Sequence, residues 1–311
     1  MRRNKGGVNG FIHEIVKNRY LYVLALPGIL FLLIFAYTPM VGHLLAFQNY
    51  RLSDGLFGSE WVGFRNFEFF FGSKDWLRVT WNTVFLNGLF LVFGLGSAVV
   101  LAVLLNEVTG KWFKKTAQSF VFLPYFISWL VVSMMVQTMF SSTEGMMNQA
   151  FTSLGFEGVD WYLTPSVWPS ILTFVYVWKV AGYNSIIFLA SITGISSEYY
   201  ESAKLEGASR FQQIIYITLP LLRPIIIIMT LLGIGRIFYG DFGMIYAIIG
   251  DVGVLFPTTD VIDTYAYRAL RQMGNFSMSS AIILYQSFMG LIVVIFFNWL
   301  ARKVDPNSRL F

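Results

Sequence analysis

Three charged residues interrupt long apolar stretches of the sequence: Lys179, Arg236 and Asp241. A charge placed in hydrocarbon costs about 3 kcal/mol or more, so each of these side chains must face a protein interior, a partner or water. Such groups pair with one another or bind a ligand of opposite charge. The sequence is compatible with a structural ion pair between Lys179 and Asp241 and with contact to a ligand. The two cations favour an acidic ligand.

The relation between Arg236 and Asp241 depends on whether a helix continues through them. Residues five positions apart lie about 140° apart around a regular helix, so a continuous helix would keep the two from pairing directly. Three glycines, Gly233, Gly235 and Gly240, lie in this stretch. Glycine weakens a helix interior, so a break here would change that relation.

Aromatic, amide and hydroxyl side chains accompany the charges in the same segments. Sugars bind to aromatic faces through their ring C–H groups and to amides and hydroxyls through hydrogen bonds. Because aromatic residues make up 18% of the chain, packing is the competing explanation for each of them. The predicted pathway residues are Lys179, Tyr183, Asn184, Arg236, Tyr239, Asp241, Tyr285 and Gln286, with Phe242, Tyr246 and Ser287 nearby.

The sequence lacks the residues that most enzymes need. It has no Gly-x-x-x-x-Gly-Lys-Ser/Thr motif for nucleotide phosphates, and no Ser/His/Asp arrangement. It has no cysteine, and its two histidines, His13 and His43, are too few and too separated for a metal centre. We therefore expect no catalytic residue, no metal and no cofactor on this chain, and any energy must come from another polypeptide.

Long apolar helices must position these side chains. Only 13% of the residues are charged, against about 25% in soluble domains. Four runs without Asp, Glu, Lys or Arg each exceed the roughly 20 residues that cross a bilayer: 20–50, 79–106, 116–143 and 272–301. Two further spans, 167–191 and 223–248, contain the three isolated charges. The sequence thus predicts an all-α polytopic membrane protein with six transmembrane helices.

The distribution of Lys and Arg predicts the orientation. With both termini in the cytoplasm, the inner segments hold most of the 22 basic residues, as the positive-inside rule requires. This bias also explains the net charge of +5 without a nucleic-acid partner. The predicted organisation is a cytoplasmic tail (1–19), one transmembrane domain (20–301) and a second cytoplasmic tail (302–311).

A polar loop, about 195–220, separates the predicted fourth and fifth spans and lies on the cytoplasmic side. Ser196 or Ser197 can cap a short helix there. Ala203 and Gly207 are four apart and are expected to leave one helix face without bulk. Pro220 and Pro224 are expected to lead the chain out of this helix and into the next. A short capped helix with a smooth face suits docking by a cytoplasmic partner.

This loop resembles the coupling loop of permease subunits from binding-protein-dependent ATP-binding-cassette importers. The family pattern is Glu-Ala-Ala, three residues, Gly, nine residues, Ile, one residue, Leu-Pro, and Ser202 is the one departure from it. The matching residues are Glu201, Ala203, Gly207, Ile217, Leu219 and Pro220. The resemblance implies an ATPase-coupling site formed by Glu201, Ser202, Ala203, Gly207, Ala208 and Pro220.

Shorter matches extend the resemblance over most of the chain. The stretch from Pro257 to Arg268 is similar to the oligosaccharide branch of the family, the maltose-type permeases, and in particular to those of Gram-positive bacteria. The resemblance implies a cell-membrane complex with a second permease, two ATPase subunits that hold ATP and Mg²⁺, and an extracellular binding lipoprotein that delivers a saccharide. Alternating access would move the sugar through the heterodimer.

Three rival functions remain open from the residues, one of which, a non-transporting membrane scaffold, would leave Lys179 and Arg236 without an obvious use. An ion-gradient-driven secondary transporter would need inverted repeats and a buried carboxylate relay, whereas Asp241 stands alone. An importer of peptides or amino acids is the third rival, and the similarity of the segment that ends at Arg268 to sugar permeases argues against it.

Overall fold

The computed structural model describes residues 17–142 and 145–304, and within them the chain is almost entirely helical. Most of the two predicted tails, 1–19 and 302–311, lies outside the described residues. Five helical segments are long and apolar enough to cross a membrane, and a bent pair of helices makes a sixth candidate. The predicted helical membrane fold is therefore confirmed at the level of five to six spans.

The candidate spans differ from one another in how straight they are. Five are single segments: Arg19–Phe47, Asp75–Glu107, Pro165–Thr193, Arg210–Ile234 and Phe276–Leu300. The sixth consists of Lys111–Phe126 and Trp129–Phe140, which meet at 95°.

Short elements connect and extend these segments. The α-helices are α1 (Arg19–Leu32), α2 (Thr38–Met40), α3 (Gly55–Gly58), α4 (Arg65–Gly72), α5 (Asp75–Glu107), α6 (Lys111–Phe122), α7 (Trp129–Phe140), α8 (Met146–Ser153), α9 (Trp168–Thr193), α10 (Ser197–Leu205), α11 (Arg210–Gln213), α12 (Leu219–Ile234), α13 (Phe242–Ile249), α14 (Phe256–Thr259), α15 (Ile262–Arg271) and α16 (Phe276–Val304). The π-helical segments are Leu33–Tyr37 and Ile214–Thr218, and the 3₁₀ segments are Val41–Phe47, Leu123–Phe126, Trp161–Leu163, Pro165–Val167 and Gly253–Leu255. The strands β1 (Gln48–Asn49) and β2 (Glu60–Trp61) pair antiparallel.

The predicted third span, 116–143, is wrong as a continuous helix. Pro124 lacks a backbone N–H and lies in a 3₁₀ turn, and Ile127 and Ser128 then adopt extended conformations. Ser128 caps the new helix, since its side chain accepts a hydrogen bond from the amide of Val131 at 3.4 Å. The chain therefore changes direction between α6 and α7.

The predicted fifth span, 223–248, is also wrong in its bounds. Its helical segment begins at Arg210, where Ser209 and Gln212 form a capping box. Pro220 and Pro224 lie inside this segment and do not separate two helices. The π-helical turn just before Pro220 accommodates the helical hydrogen bond that proline, which has no N–H, cannot donate.

The same segment ends at Ile234, and α13 follows only after a break at residues 235–241. Gly233 allows close packing there, because an added Cβ would lie 2.2 Å from Cδ1 of Leu91. The glycine-rich stretch thus breaks the helix, as the sequence suggested.

The core forms where α5 and α9 pack along each other. Ala98 and Ala102 of α5 are fully buried, and an added Cβ on Gly94 would lie 3.2 Å from the ring of Tyr176. Small residues at four-residue steps therefore let the two helices approach closely. α1, in contrast, has no buried residue in this chain.

Candidate functional site

The predicted coupling loop forms a short helix with defined ends. The side chain of Ser196 accepts a hydrogen bond from the amide of Glu198 at 3.3 Å and so caps α10. At the other end, the amide of Ala208 donates to the carbonyl of Ala203 at 2.9 Å, and that of Gly207 donates to Lys204 at 3.1 Å. These two bonds form a Schellman motif, which requires the positive φ of +84° found at Gly207.

The smooth face expected from Ala203 and Gly207 is not present as a helix face. α10 ends at Leu205, so Gly207 lies beyond the helix and serves its C-terminal turn instead. Glu201, Ser202 and Pro220 are exposed, whereas Ala203 and Ala208 are half-buried. The structure thus places five of the six predicted coupling residues in α10 and the turn that ends it, whereas Pro220 lies at the start of α12.

Large apolar side chains surround this loop and were not predicted as part of it. Leu205 is 90% exposed, and Tyr199, Phe211 and Tyr216 are exposed as well. We call these four residues the exposed apolar residues of the loop. Their signal in the sequence was the position of large apolar residues within a polar loop.

Two contacts connect the coupling loop to the span that follows it. The hydroxyl groups of Tyr200 and Thr218 lie 3.0 Å apart, and the side-chain amide of Gln213 donates to the carbonyl of Ala208 at 3.1 Å. Gln213 and Thr218 are buried. These contacts join α10 and the turn that follows it to the segment that leads into α12.

Lys179 holds the bend between α6 and α7. Its side chain is only 7% exposed, and its ammonium group donates to the carbonyls of Pro124 (3.3 Å), Tyr125 (2.8 Å) and Ile127. An ammonium group has three donors, so all of them are used. The nitrogen also lies 5.0 Å from the ring centre of Trp129.

Of the two alternatives left open for Lys179, the ion pair with Asp241 is not formed, because no salt bridge joins them among the described residues. The physical reason is the bend, which presents three carbonyl groups to Lys179 that a straight helix would have used internally. The same contacts occupy the donors with which Lys179 would bind a ligand. Close packing supports the bend, since an added Cβ on Gly182 would lie 1.9 Å from the carbonyl oxygen of Val121.

A polar cavity of about 350 Å³ lies at the break between α12 and α13. Arg236, Tyr239 and Asp241 line it, as three of the predicted pathway residues. An adjoining cavity of about 200 Å³ shares Arg236 and adds Asn184. The other residues of the larger cavity are Asn87, Phe90, Leu91, Tyr176, Gly233, Gly240 and Phe242. The structure thus brings together four of the eight predicted pathway residues.

Arg236 and Asp241 share this cavity without forming an ion pair. The Asp241 carboxylate caps α13, because its Oδ1 accepts a hydrogen bond from the amide of Met244 at 3.0 Å. Arg236 is exposed, and its guanidinium group has no hydrogen-bond or ion-pair partner in the described part of the chain.

Gln286 and Tyr285, two further predicted pathway residues, do not line this cavity. Gln286 is 3% exposed, and its side-chain amide donates to the carbonyl of Phe238 at 2.7 Å and to Asp263 at 2.9 Å. Tyr285 packs against Phe70, with its hydroxyl 3.1 Å from that of Thr80. Both residues lie on the side of α16 that packs against the break and against α4 and α5, and that side faces the core.

Asp263 and Asn87 position the break and were missed by the sequence reasoning. Asp263 Oδ2 accepts a hydrogen bond from the Gly240 amide at 2.7 Å, and the Asn87 amide donates to the carbonyl of Ile237 at 2.9 Å. Burial raises the pKa of the Asp263 carboxyl, while hydrogen bonds from Gln286 and from the Gly240 amide act in the opposite direction. A polar residue on an otherwise apolar helix was the only signal for Asn87.

Tyr183 lies apart from this cavity, near the bend. Its ring stacks on that of Tyr125, with the ring centres 4.0 Å apart and the planes 9° apart. It is 40% exposed. A cavity of about 720 Å³ lies near it between α5, α9 and the bend, but apolar side chains dominate its lining.

The stretch from Pro257 to Arg268 contains a buried ion pair. Asp260 is buried, and its carboxylate accepts hydrogen bonds from Arg268 at 2.5 Å and from Thr264 at 2.8 Å. Burial raises the pKa of Asp260, and the Arg268 guanidinium opposes that shift. The side-chain amide of Asn82 donates to the Asp260 carbonyl at 3.1 Å, so this network fixes α15 against α5.

Comparison with known proteins agrees with this arrangement. Residues 94–306 match the family model described as binding-protein-dependent transport system inner membrane component. The chain is 35% identical over 292 residues to protein LplB of Bacillus subtilis (strain 168), covering 94% of this chain and 91% of LplB. It is 33% identical over 295 residues to the polygalacturonan/rhamnogalacturonan transport system permease protein YteP of the same organism, covering 95% and 91%.

Solved structures show the same fold. A chain of a bacterial ABC transporter involved in the import of the acidic polysaccharide alginate aligns with a TM-score of 0.85 and 33% identity, covering 94% of this chain and 99% of that one. A chain of a bacterial alginate ABC transporter in complex with an alginate pentasaccharide-bound periplasmic protein aligns with a TM-score of 0.84 and 34% identity, covering 94% and 97%.

Proposed function

Because the chain belongs to the family of binding-protein-dependent transport system inner membrane components, we infer that it is the permease subunit of an ATP-binding-cassette importer in a bacterial cell membrane. Its cargo is an oligosaccharide or a fragment of a polysaccharide. The observation that carries this conclusion is the similarity, over more than 90% of the chain, to a permease for polygalacturonan and rhamnogalacturonan and to the alginate transporter. This favours a sugar importer over a peptide importer or a gradient-driven transporter.

We propose six spans with both termini in the cytoplasm, in which α6 and α7 together form the third span. The basic residues of the inner loops support this orientation. It puts α10 in the cytoplasm between the fourth and fifth spans. Residues 20–301 then form one transmembrane domain between two cytoplasmic tails.

The partners follow from the absence of a nucleotide-binding motif on this chain. Two ATPase subunits would bind ATP and Mg²⁺ and hydrolyse the nucleotide, so the chain itself is not an enzyme. One ATPase would contact α10 and the exposed apolar residues of the loop, Tyr199, Leu205, Phe211 and Tyr216. A second permease subunit would complete the heterodimer, and α1, with no buried residue in its own chain, leaves apolar surface for that subunit or for lipid.

An external binding protein would deliver the saccharide, as the complex of the alginate transporter with its periplasmic protein suggests by analogy. Movement of the ATPases would displace α10. The contacts of Tyr200 with Thr218 and of Gln213 with Ala208 would carry this displacement to α12 and to the break beside Arg236. The cavity there would be loaded from outside and opened inward by alternating access.

Reconstitution tests this function. The complete complex in proteoliposomes should take up oligosaccharide only when ATP is inside and the loaded binding protein is outside. Uptake driven by a sodium or proton gradient alone would support the secondary-transporter alternative, and uptake of peptides in place of saccharides would support a peptide importer.

A further inference from the structure

Arg236 is a cation without a partner at the level of the membrane-spanning helices. It lies just after α12, faces the cavity of about 350 Å³, and has no ion pair within the described residues. A charge at this depth is costly unless it faces water or a ligand. Because no salt bridge engages Arg236 among the described residues, its guanidinium group is open to an anion that enters the cavity.

Lys179, the other intramembrane cation, does not compete for this role. Its three donors are directed to the carbonyls of Pro124, Tyr125 and Ile127, and it does not line the cavity. The anion selectivity expected from two cations therefore rests on one.

Asp241 does not fill the anion site either. Its carboxylate is used to cap α13 through the amide of Met244, and no salt bridge joins it to Arg236. The negative charge of Asp241 repels an anion in the same cavity, so an anion that does not contact Arg236 directly would bind weakly. A ligand anion must therefore be placed on the guanidinium group itself, which favours a planar, bidentate contact.

Aromatic side chains beside Arg236 suit a sugar ring. Tyr239 is 41% exposed and lines the cavity, and its ring rests against Gly290, where an added Cβ would lie 3.2 Å away. Phe242 also lines the cavity, and its ring stacks on that of Tyr246 with the centres 5.2 Å apart. Aromatic faces of this kind pack against the C–H groups of pyranose rings.

We propose that this cavity is a subsite for a uronic acid unit, in which Arg236 binds the sugar carboxylate and Tyr239 and Phe242 contact the ring. The inference rests on the proposed function and specifies its substrate class as acidic oligosaccharides. A volume of about 350 Å³ lies at the low end of ligand sites, so the subsite holds a short part of a longer chain.

The test compares acidic oligosaccharides with neutral ones of the same length. The probes are trimers of galacturonate, mannuronate and glucuronate, each with its carboxyl-reduced counterpart. The whole complex is reconstituted with its binding protein, whose affinity for every probe is measured separately so that delivery is normalised. We expect the wild type to take up at least one oligouronate about 10-fold or more faster than its reduced counterpart, the ratio that a charge-assisted hydrogen bond supplies.

Variants of Arg236 then test whether this residue causes the preference for acidic over neutral trimers. Arg236→Gln should lower uptake of the preferred oligouronate about 10- to 100-fold while uptake of the reduced trimer changes less than about 3-fold. Uptake of the oligouronate by Arg236→Lys should lie between that of the wild type and that of Arg236→Gln, because lysine keeps the charge but loses the bidentate geometry. Arg271→Gln, on the exposed end of α15, is the matched control and should keep the wild-type ratio.

The outcomes separate this inference from the proposed function. ATP-dependent uptake of reduced trimers at rates equal to or above those of the oligouronates overturns the uronate subsite and leaves the sugar importer intact. The same holds if sugar phosphates or sulfonates are taken up in preference to uronates. Absence of ATP-dependent uptake of any saccharide overturns both. If Arg236→Gln does not reach the membrane, the wild-type ratio and Arg236→Lys decide.

Discussion

The ammonium group of Lys179 lies 2.8 Å from the carbonyl oxygen of Tyr125, so a side chain of α9 holds the bend between α6 and α7. The bend leaves backbone carbonyls without helical partners, and a buried cation satisfies them. A charge inside the membrane therefore has a structural use here that requires no ligand.

Replacing Lys179 should weaken the bend without changing which sugar is carried. Lys179→Met leaves the part-buried carbonyls of Pro124, Tyr125 and Ile127 without their donor, at a cost of about 1–3 kcal/mol. We expect a lower thermal unfolding midpoint of the purified complex and equal fractional losses in uptake of an oligouronate and its reduced counterpart. Lys179→Arg keeps the charge and is the control. A loss confined to the acidic sugar would contradict the structural role and assign Lys179 to the ligand.

Gly240 should tolerate no side chain. An added Cβ would lie 2.8 Å from Oδ2 of Asp263, the oxygen that accepts the Gly240 amide hydrogen bond. Gly240→Ala should therefore displace the break that carries Arg236, with lower complex stability and slower uptake of every saccharide. Gly88→Ala is the matched control, because an added Cβ there meets nothing within 4 Å. If both variants behave alike in thermal unfolding and uptake, Asp263 does not position the break.

Gly207 should be essential for coupling. Its φ of +84° ends α10, and an added Cβ would extend from the exposed loop that we propose contacts the ATPase. We expect Gly207→Asp to abolish uptake and transport-linked ATP hydrolysis while the protein still reaches the membrane. Gly207→Asn adopts the same backbone conformation without the charge and should be milder, because an unpaired charge at an interface costs more. Normal uptake in Gly207→Asp would remove the coupling assignment.

Local patterns in the sequence predicted the elements whose structure depends on neighbouring residues. Ser196 caps α10 as expected, because a cap depends on a few consecutive residues, whereas Gly207, expected on a helix face, lies in the left-handed turn that ends the helix. The glycines around Arg236 left a break open, although the predicted fifth span ran through them to residue 248.

Contacts between distant segments were beyond the reach of sequence patterns. Lys179 looked like a partner for Asp241, since nothing in the sequence shows that Pro124 and Ile127 expose carbonyls to it across more than 50 positions. Gln286 looked like a sugar ligand, but its amide joins Asp263 and Phe238 within the core. The sequence shows which polar residues lie within apolar segments, but it does not show which groups those residues contact in the fold.

Site-directed cross-linking tests the central claim, that α10 is the cytoplasmic contact for an ATPase. The chain has no cysteine, so a single Leu205→Cys can be paired with cysteines placed in turn across the membrane-facing surface of the ATPase subunit. Leu205 is 90% exposed, and Leu52→Cys, at an 81% exposed residue beside the β1–β2 hairpin, is the control. The proposed topology predicts a cross-link from Leu205→Cys that depends on nucleotide, and none from Leu52→Cys. No cross-link from Leu205→Cys in an actively transporting complex, or one from Leu52→Cys instead, would contradict it.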